Sequence, residues 1–181
     1  MTLGDRGSSM NIWATIGAGL ASIIALGVAI FLVLGAERFW RLFGDPDLGP
    51  VSFEQLERRP PPNDSLACPP DFCKARADVT TRLYRVTAHD LRLEFAKVIA
   101  SEARVSVAEA NEAALTDRYI QRSEHLGFPD TIVVRFLDRA DGRSTIALYS
   151  RSQLGKGDFG INRARIERWL GKLANHVLTV D

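Results

Sequence analysis

The pattern of hydrophobic and polar positions separates one long apolar segment from an amphipathic remainder. Residues 12–36 contain no Asp, Glu, Lys or Arg, and they are apolar or small. As a helix rising about 1.5 Å per residue, this segment would extend roughly 37 Å, which exceeds the roughly 30 Å thickness of a hydrocarbon core. We therefore predict a short N-terminal tail over 1–11 and a transmembrane helix over 12–36, with a long cleaved signal peptide as the alternative.

One face of this apolar helix carries a stripe of small residues. Gly17, Ala21 and Ala25 recur every four residues, and small residues at this spacing allow a second helix to approach closely within a bilayer. We expect the lipid bilayer as one partner of the chain and a membrane protein, contacted through this stripe, as another. The alternative is that Gly and Ala are simply common in membrane helices.

Proline and glycine are frequent in the segment that follows, 37–62. Proline fixes φ and removes a backbone donor, so this segment predicts an extended spacer without regular strand pairing. Phe53 and Leu56 are spaced for one short helical turn within it.

Clear periodicity returns in the remainder of the chain, which we assign to a soluble domain over 63–178. Leu91, Phe95 and Val98 recur at helical spacing, whereas other segments alternate between apolar and polar residues as half-buried strands do. The predicted helices begin after the capping residues Thr87 and Asp158, and the predicted strands lie at Leu83–Val86, around Val105 and Val107, around Arg118–Ser123, at Thr131–Leu137 and at Ser144–Ser150.

This order of elements predicts an α+β fold with two layers. Consecutive strands joined by short turns favour an antiparallel sheet of about five strands, and the two helices must bury their apolar stripes against one face of it. The whole chain is therefore expected to combine a single N-terminal transmembrane helix with a two-layer α+β domain.

Composition excludes several classes of protein. Lys and Arg number 23 against 22 Asp and Glu, so a strongly basic nucleic-acid binder is excluded and no nucleic acid is expected as a partner. A hydrophobic fraction of 46% is too high for a chain that is disordered throughout.

Cys68 and Cys73 lie in a loop stiffened by Pro69 and Pro70. We predict a structural disulfide, which would persist only in an oxidising compartment such as the periplasm; free thiols, or a redox or metal role, are the alternatives. The spacing differs from that of a redox CxxC motif, haem attachment would need CxxCH, and two thiolates supply only half of a zinc site. No metal and no cofactor is therefore predicted.

A second group of residues suggests an anion site at the start of the C-terminal helix. A glycine-bearing loop before a helix presents unpaired amides to an anion, and neighbouring basic residues can complete such a site. The nucleotide-binding motif GxxxxGK[ST] is not matched, because Ser150 and Gly157 stand where Gly and Ser or Thr are required. The candidate ligand-binding residues are Arg122, Asp130, Arg151, Lys156, Asn162 and Arg163.

The alternative for this group is a structural cluster in which Asp158 caps the helix and Asp130 pairs with an arginine. No catalytic residue is predicted, because the sequence contains no GxSxG, HExxH or paired-carboxylate motif.

Several of these segments together resemble the domain-of-unknown-function family 1499 (DUF1499) of bacterial and plastid proteins. The resemblance spans about 55–172 and brings no assigned activity; it implies a short exported or membrane-anchored protein. The matching segments are Pro62-Asn63, Cys68-Pro69 with Cys73, Arg122-Ser123, Gly127-Phe128-Pro129-Asp130, and the run from Tyr149 through Asn162-Arg163 to Trp169-Leu170.

We interpret the chain as a single-pass protein of the bacterial inner membrane with its domain on the periplasmic side. We expect it to act as a non-enzymatic accessory or interaction subunit, within a larger membrane complex. The alternative is a domain that binds an anionic ligand or lipid headgroup, or hydrolyses one, through Arg122, Arg151 and Lys156. Two arginines follow the apolar helix, Arg38 and Arg41, and one precedes it, Arg6; this excess favours placing the domain on the cytoplasmic side instead. The predicted disulfide favours placing the domain in the periplasm.

Overall fold

The structure is a computed structural model that describes residues 7–58, 63–155 and 157–180. It contains two compact units, which meet between Gly44 and Asp45 in the sequence. In the first unit, helix α1 extends over Gly7–Arg41, and its backbone leaves the helical conformation at Gly35, where φ is 74°. Glycine reaches positive φ without a Cβ clash. Ile12–Arg41 is long and apolar enough to cross a membrane, and an 18-residue stretch within it has a mean hydropathy of 2.5.

The second unit is built on one mixed sheet, to which the described residues contribute eight strands. The path of neighbouring strands is β2-β1-β7-β6-β5-β4, and β3 pairs with both β7 and β8. The strands are β1 (Asp64–Cys68), β2 (Val79–Thr80), β3 (Leu83–Tyr84), β4 (Val105–Asn111), β5 (Thr116–Arg122), β6 (Pro129–Asp138), β7 (Ser144–Ser152) and β8 (Thr179–Val180).

The α+β class is confirmed, but the sheet is not purely antiparallel. Strand β1 pairs with β2 in parallel and with β7 in antiparallel orientation. Strands β2 and β8 have only two residues each, which is too short for an alternation to appear in the sequence. The five strands of the prediction are β3 to β7, so β1, β2 and β8 are the ones it missed.

Two helices cover one face of the sheet, as predicted. Helix α2 extends over Ala88–Ala100 and α3 over Ile161–His176. The hydroxyl of Thr87 accepts the N–H of Asp90 at 3.1 Å, which confirms the predicted start of α2. Phe95 of α2 and Trp169 of α3 meet edge to face with ring centroids 5.9 Å apart, and both are fully buried. Burying side chains of this size stabilises the fold by about 1.5–3 kcal/mol each.

Residues 45–58, here called the covering segment, pack on the opposite face of the sheet. Phe53 and Leu56 are buried there against Val133 in a second hydrophobic cluster. The N–H of Leu48 donates to the hydroxyl of Thr131 at 3.0 Å. The covering segment forms no strand, as a proline-rich sequence predicts, yet it packs on the domain instead of extending away from it.

The predicted disulfide is present between Cys68, the last residue of β1, and Cys73. Cys68 is 2% exposed and belongs to the same cluster as Phe53. The disulfide therefore fixes the loop after β1 beneath the covering segment.

Candidate functional site

The sheet separates the candidate ligand-binding residues onto its two faces. Side chains of neighbouring residues in a strand point to opposite faces. Asp130 of β6 points to the helix face, where it meets α3. Arg151 of β7 points to the other face, where it donates to the carbonyl oxygens of Leu48 and Gly49, both at 2.7 Å.

The remaining candidate residues are also dispersed. Arg122 lies four residues after Arg118 in β5, and Arg118 binds Asp47 of the covering segment at 2.7 Å. The alternation of side chains along the strand places Arg122 on that same face. Arg163 is on the outer side of α3, where it binds Glu167 at 2.8 Å. Lys156 lies outside the described residues. The basic side chains that the structure describes do not converge on one anion.

Asp130 and Asn162 do come together, in a buried cluster centred on a residue that the sequence analysis did not select. Arg165 of α3 is 3% exposed. Its Nη2 donates to Asp130 at 2.5 Å, its Nη1 donates to Ser150 and Asn162 at 2.7 and 2.6 Å, and its Nε donates to Gln121 at 2.5 Å. We call these five residues the Arg165 cluster.

Sheet register explains how the Arg165 cluster forms. Gln121, Asp130 and Ser152 lie in one row across β5, β6 and β7, with their side chains on the helix face. Asn162 and Arg165 are three residues apart in α3 and therefore share the helix face that meets this row. The amide nitrogen of Asn162 donates to the hydroxyl of Ser152 at 3.0 Å.

The Arg165 cluster leaves one donor unused. A guanidinium has five N–H groups, and four hydrogen bonds of Arg165 end on members of the cluster. The second hydrogen on Nη2 has no acceptor among the residues that the structure describes. A buried charged donor without a partner is costly, so a group that accepts this hydrogen would be stabilised there.

A cavity of about 360 Å³ adjoins Arg165, and we call it the α3 cavity. Its polar lining consists of Arg165, Asp130, Asp158 and two serines, and the rest of its wall consists of apolar side chains and two glycines before α3. The apolar residues that line it are Phe128, Pro129, Leu154, Phe159 and Ile161.

The N-terminus of α3 already holds an anionic group of the chain itself. One carboxylate oxygen of Asp158 accepts the N–H of Asn162 at 2.8 Å, and the other accepts the N–H of Gly160 at 3.1 Å. Asp158 therefore satisfies amides that an external anion would need. This agrees with the capping role predicted for Asp158.

Asn63 holds the loop that leads into the cavity. Its side-chain amide nitrogen donates to the carbonyl oxygens of Leu154 and Gly155, both at 2.9 Å. Its main-chain carbonyl oxygen accepts the N–H of Ser152 at 2.9 Å. The start of β1 and the end of β7 thus fix one wall of the α3 cavity.

Residues 62–173 match the family described as "Protein of unknown function (DUF1499)". The chain belongs to this family. The DUF1499 match includes every residue that lines the α3 cavity and all five members of the Arg165 cluster. A comparison with curated proteins finds no match.

Solved structures share only a distant likeness with the DUF1499 domain. The di-domain ARO/CYC protein BexL of the BE-7585A biosynthetic pathway is 13% identical with a TM-score of 0.40, over 53% of this chain and 44% of BexL. Ara h 8.0201 is 12% identical with a TM-score of 0.37, over 54% of this chain and 93% of that protein. A Thermobifida fusca protein solved by NMR is 10% identical with a TM-score of 0.33, over 53% of this chain and 78% of that one.

On the opposite face of the DUF1499 domain, a second polar network joins the covering segment to β1. Arg58 binds both Asp64 and Asp78, and the hydroxyl of Tyr149 donates to Asp64 at 2.5 Å. Burial, together with the hydrogen bond to Asp64, raises the pKa of Tyr149. Burial opposes ionisation of Asp78, but hydrogen bonds from Arg58 and from the N–H of Leu66 outweigh it and lower the pKa of Asp78. These shifts favour the ionised form of Asp78 and the protonated form of Tyr149.

The two serines that line the α3 cavity are hydrogen-bonded within the domain. The hydroxyl of Ser123 accepts the N–H of Phe128 at 3.0 Å, and the hydroxyl of Ser152 accepts from Asn162. Neither serine has a histidine partner among the described residues. Within the described part of the chain, no three His, Cys, Asp or Glu side chains are grouped to hold a metal ion.

The position of Arg165 in the stripe of core-facing residues of α3 indicates that it is buried. The buried residues of α3 are Asn162, Arg165, Ile166, Trp169 and Leu173, so its apolar stripe continues toward the N-terminus through two polar residues. Polar residues at core-facing positions of a helix need buried partners. Extending the stripe by one turn toward the N-terminus therefore predicts that Arg165 is buried and paired.

Proposed function

We propose that this DUF1499 protein is a single-pass membrane protein whose domain binds a small, uncharged and largely apolar ligand in the α3 cavity without catalysing a reaction. The observation that carries the proposal is the α3 cavity itself, in which apolar walls end on the buried Arg165–Asp130 pair. Cavities of roughly 300–1,000 Å³ with apolar walls and a few convergent polar groups are typical of small-molecule sites.

The charges around the cavity favour an uncharged ligand over an anion. The positive charge of Arg165 is compensated by Asp130 at 2.5 Å, and Asp158 already occupies the amides of Gly160 and Asn162. An anion in the cavity would either displace one of these carboxylates or lie beside Asp130 and Asp158, which both line the cavity and would repel it. A carbonyl or ester oxygen needs only the remaining hydrogen on Nη2 of Arg165, and an apolar chain attached to it would contact Leu154 and Phe159.

Photolabelling with two single-chain lipids tests both the site and the charge of its ligand. The full chain is placed in lipid nanodiscs with either a monoacylglycerol or a lysophosphatidate, each carrying the same diazirine on the acyl carbons next to the ester group. We expect the monoacylglycerol to label residues on the inner wall of the cavity, such as Asp130 and Arg165, severalfold more than the lysophosphatidate does. Stronger labelling by the lysophosphatidate would support an anionic ligand or lipid headgroup instead.

A pair of tryptophan substitutions gives the matched control. Gly157 lines the cavity, has open space around a Cβ and needs no positive φ, so Gly157→Trp obstructs the cavity without straining the backbone. Ala140 is exposed at the other end of the β6–β7 hairpin, so Ala140→Trp adds the same side chain elsewhere. Inner-wall labelling should be lost in Gly157→Trp and kept in Ala140→Trp; equal labelling in both variants would contradict the proposal.

For the location, we propose the inner membrane of a bacterium, with the domain on the periplasmic side. The length and hydropathy of α1 support membrane anchoring, and the Cys68–Cys73 disulfide supports an oxidising compartment. Alkylation of intact cells with and without reductant tests the location. Both cysteines should react only after reduction, and alkylation without reductant would contradict a periplasmic domain.

A second candidate function is that of an accessory subunit in a larger membrane complex. The favouring observation is that Gly17, Ala21 and Ala25 are all exposed on α1, so this small-residue stripe is available to a helix of another protein. Gly17→Ile should abolish co-purification of a partner in mild detergent. Gly19→Ile, which also has open space around its Cβ but lies on another face, should leave it unchanged; a chain that purifies alone in either form would contradict this function.

A further inference from the structure

Residues 157–161, here called the mouth segment, place two large apolar side chains in solvent beside the α3 cavity. Phe159 is 102% exposed and Ile161 is 52% exposed. Phe159 also has a φ of 52°, which is unfavourable for a bulky residue. Neither burial nor backbone preference within the domain explains this arrangement, whereas an apolar phase outside the domain would cover Phe159.

The first residue of the domain, Asp45, lies beside the loop that leads to the mouth segment. The side chain of Gln153 donates to the carbonyl oxygen of Asp45 at 2.7 Å, and Asp45 is the first residue of the second unit. The residue after Gln153, Leu154, lines the α3 cavity together with Phe159. The point at which the chain enters the domain is therefore joined to the loop that leads to the mouth segment.

The covalent connection to α1 is short. Helix α1 ends at Arg41, so four Cα–Cα steps lead from Arg41 to Asp45. At about 3.5 Å each, these steps span at most about 14 Å. If residues 12–36 cross a bilayer, the helical residues 37–41 add about 8 Å to this reach, so Asp45 stays within about 22 Å of the bilayer surface.

We infer that the mouth segment inserts Phe159 and Ile161 into the surface of the bilayer that α1 spans, so that the α3 cavity opens onto lipid. This inference rests on the membrane anchoring in the proposed function, but it does not require the cavity to be occupied. A lipid-facing opening would let an apolar ligand enter from the membrane without crossing water.

The charges of the mouth segment fit a lipid surface. Asp158 is the one acidic residue within 157–161, and its carboxylate is held by the N–H groups of Gly160 and Asn162. Inserting the segment therefore does not require a carboxylate to be stripped of its hydrogen bonds. Because the contact is apolar, we expect it to depend little on salt concentration.

A fluorescent label beside the intact Phe159 tests the inference. Both native cysteines are in the disulfide, so Gly157→Cys supplies a single reactive thiol for the environment-sensitive dye NBD. In nanodiscs, we expect the emission to shift to the blue and lipid-attached nitroxide to quench it severalfold more than in the control Ala140→Cys. The control label lies beyond the far end of the ten-residue strand β6, about 30 Å along the sheet.

A second substitution separates insertion of Phe159 from insertion of the dye. Asn tolerates positive φ, and Phe159 is fully exposed, so Phe159→Asn should not disturb the fold. In Gly157→Cys with Phe159→Asn, quenching should fall toward that of the control. Quenching at 157 equal to that at 140, or quenching unchanged by Phe159→Asn, would overturn the inference.

Failure of the inference and failure of the anchoring give different results. Extraction of the membranes with alkaline carbonate tests anchoring alone. A protein that stays in the membrane while its label at 157 reports water contradicts only the insertion of the mouth segment. A protein that is extracted contradicts the anchoring on which the inference rests.

Discussion

Two arginine–aspartate pairs join helices to the same face of the sheet, one from α2 and one from α3. In the first, Nε of Arg92 donates to both carboxylate oxygens of Asp117 at 3.0 and 2.9 Å. In the second, Nη2 of Arg165 donates to Asp130 at 2.5 Å. Asp117 is 3% exposed and Asp130 is 7% exposed, so both carboxylates are buried.

The surroundings of the two pairs differ. Asp117 also accepts the hydroxyl of Tyr119 at 3.1 Å, and its hydrogen bond to Arg92 raises the pKa of that guanidinium. The pair at Arg165 belongs to a larger cluster and lines the α3 cavity. The same two residue types thus fasten a helix in one place and form the polar end of a cavity in the other. Burial and charge alone do not distinguish a structural pair from a candidate site; the adjoining space does.

Arg165→Met should give the largest loss of stability. It leaves the carboxylate of Asp130 buried without its charged partner and removes a donor from Gln121, Ser150 and Asn162. Breaking a buried pair in this way costs about 3–5 kcal/mol. Urea denaturation of the full chain in detergent, followed by near-ultraviolet circular dichroism, measures the free energy of unfolding. A loss smaller than that of the matching α2 variant would contradict the comparison.

Arg92→Met, the matching α2 variant, should cost about 1–3 kcal/mol. The loss is smaller because Asp117 keeps the hydroxyl of Tyr119 and because the side chain of Arg92 is 14% exposed, against 4% for Arg165. The same denaturation measures it, and photolabelling of the α3 cavity by the monoacylglycerol should be unchanged. Reduced labelling would indicate that the α2 pair also supports the cavity.

Glu102 should give a smaller, pH-dependent effect on both helices. It follows α2 and binds Arg168 and Lys172 of α3 at 3.0 and 2.6 Å. Burial opposes its ionisation, but the hydrogen bonds from Arg168 and Lys172 outweigh burial and lower its pKa from 4.5 to about 2. A lowered carboxyl pKa stabilises the fold fully above pH 4.5, and this contribution is lost as the pH falls through about 2.

Denaturation midpoints measured between pH 6 and pH 2 test this contribution. Arg168 and Lys172 are partly exposed, so solvent screens the interaction and the loss should stay below that of Arg92→Met. Glu102→Gln should flatten this part of the pH dependence. An unchanged slope in that variant would assign the acid sensitivity to other carboxylates.

Gly157→Trp should have the smallest effect on stability and the most selective effect on binding. Open space surrounds a Cβ at Gly157, so the free energy of unfolding should change by less than about 0.5 kcal/mol. Monoacylglycerol labelling should nevertheless be lost, because the indole obstructs the cavity and leaves both arginine–aspartate pairs intact. A stability loss comparable with that of Arg92→Met would show that the loop before α3 is structural.

The elements that the sequence predicts are those whose signals are local. Residues 12–36 indicate an apolar helix because the absence of charge is a property of the segment itself. Thr87 predicts the start of α2 because a cap contacts an amide three residues away. Cys68 and Cys73 predict their disulfide because a separation of five residues already brings them close.

The candidate site required information that is not local. Asp130 and Asn162 are candidate site residues because of their neighbours in the sequence. Arg122 and Arg151 are candidates for the same reason, but the alternation of side chains along β5 and β7 places them on the other face of the sheet. The sequence predicts a spacer where the covering segment lies, because the residues with which the segment forms hydrogen bonds, such as Thr131, are far away in the sequence.

The sequence by itself determined the apolar helix, the α+β class, the disulfide and the membership of DUF1499, because each depends on residue type and short-range spacing. Only the tertiary structure decided that Arg165 is the arginine that pairs with Asp130, that Asp158 occupies the start of α3, and that a cavity with apolar walls adjoins them. Those features depend on which strands are neighbours and on the register between them. Pairing between distant strands is set by packing of the whole domain and leaves no periodic trace in the chain.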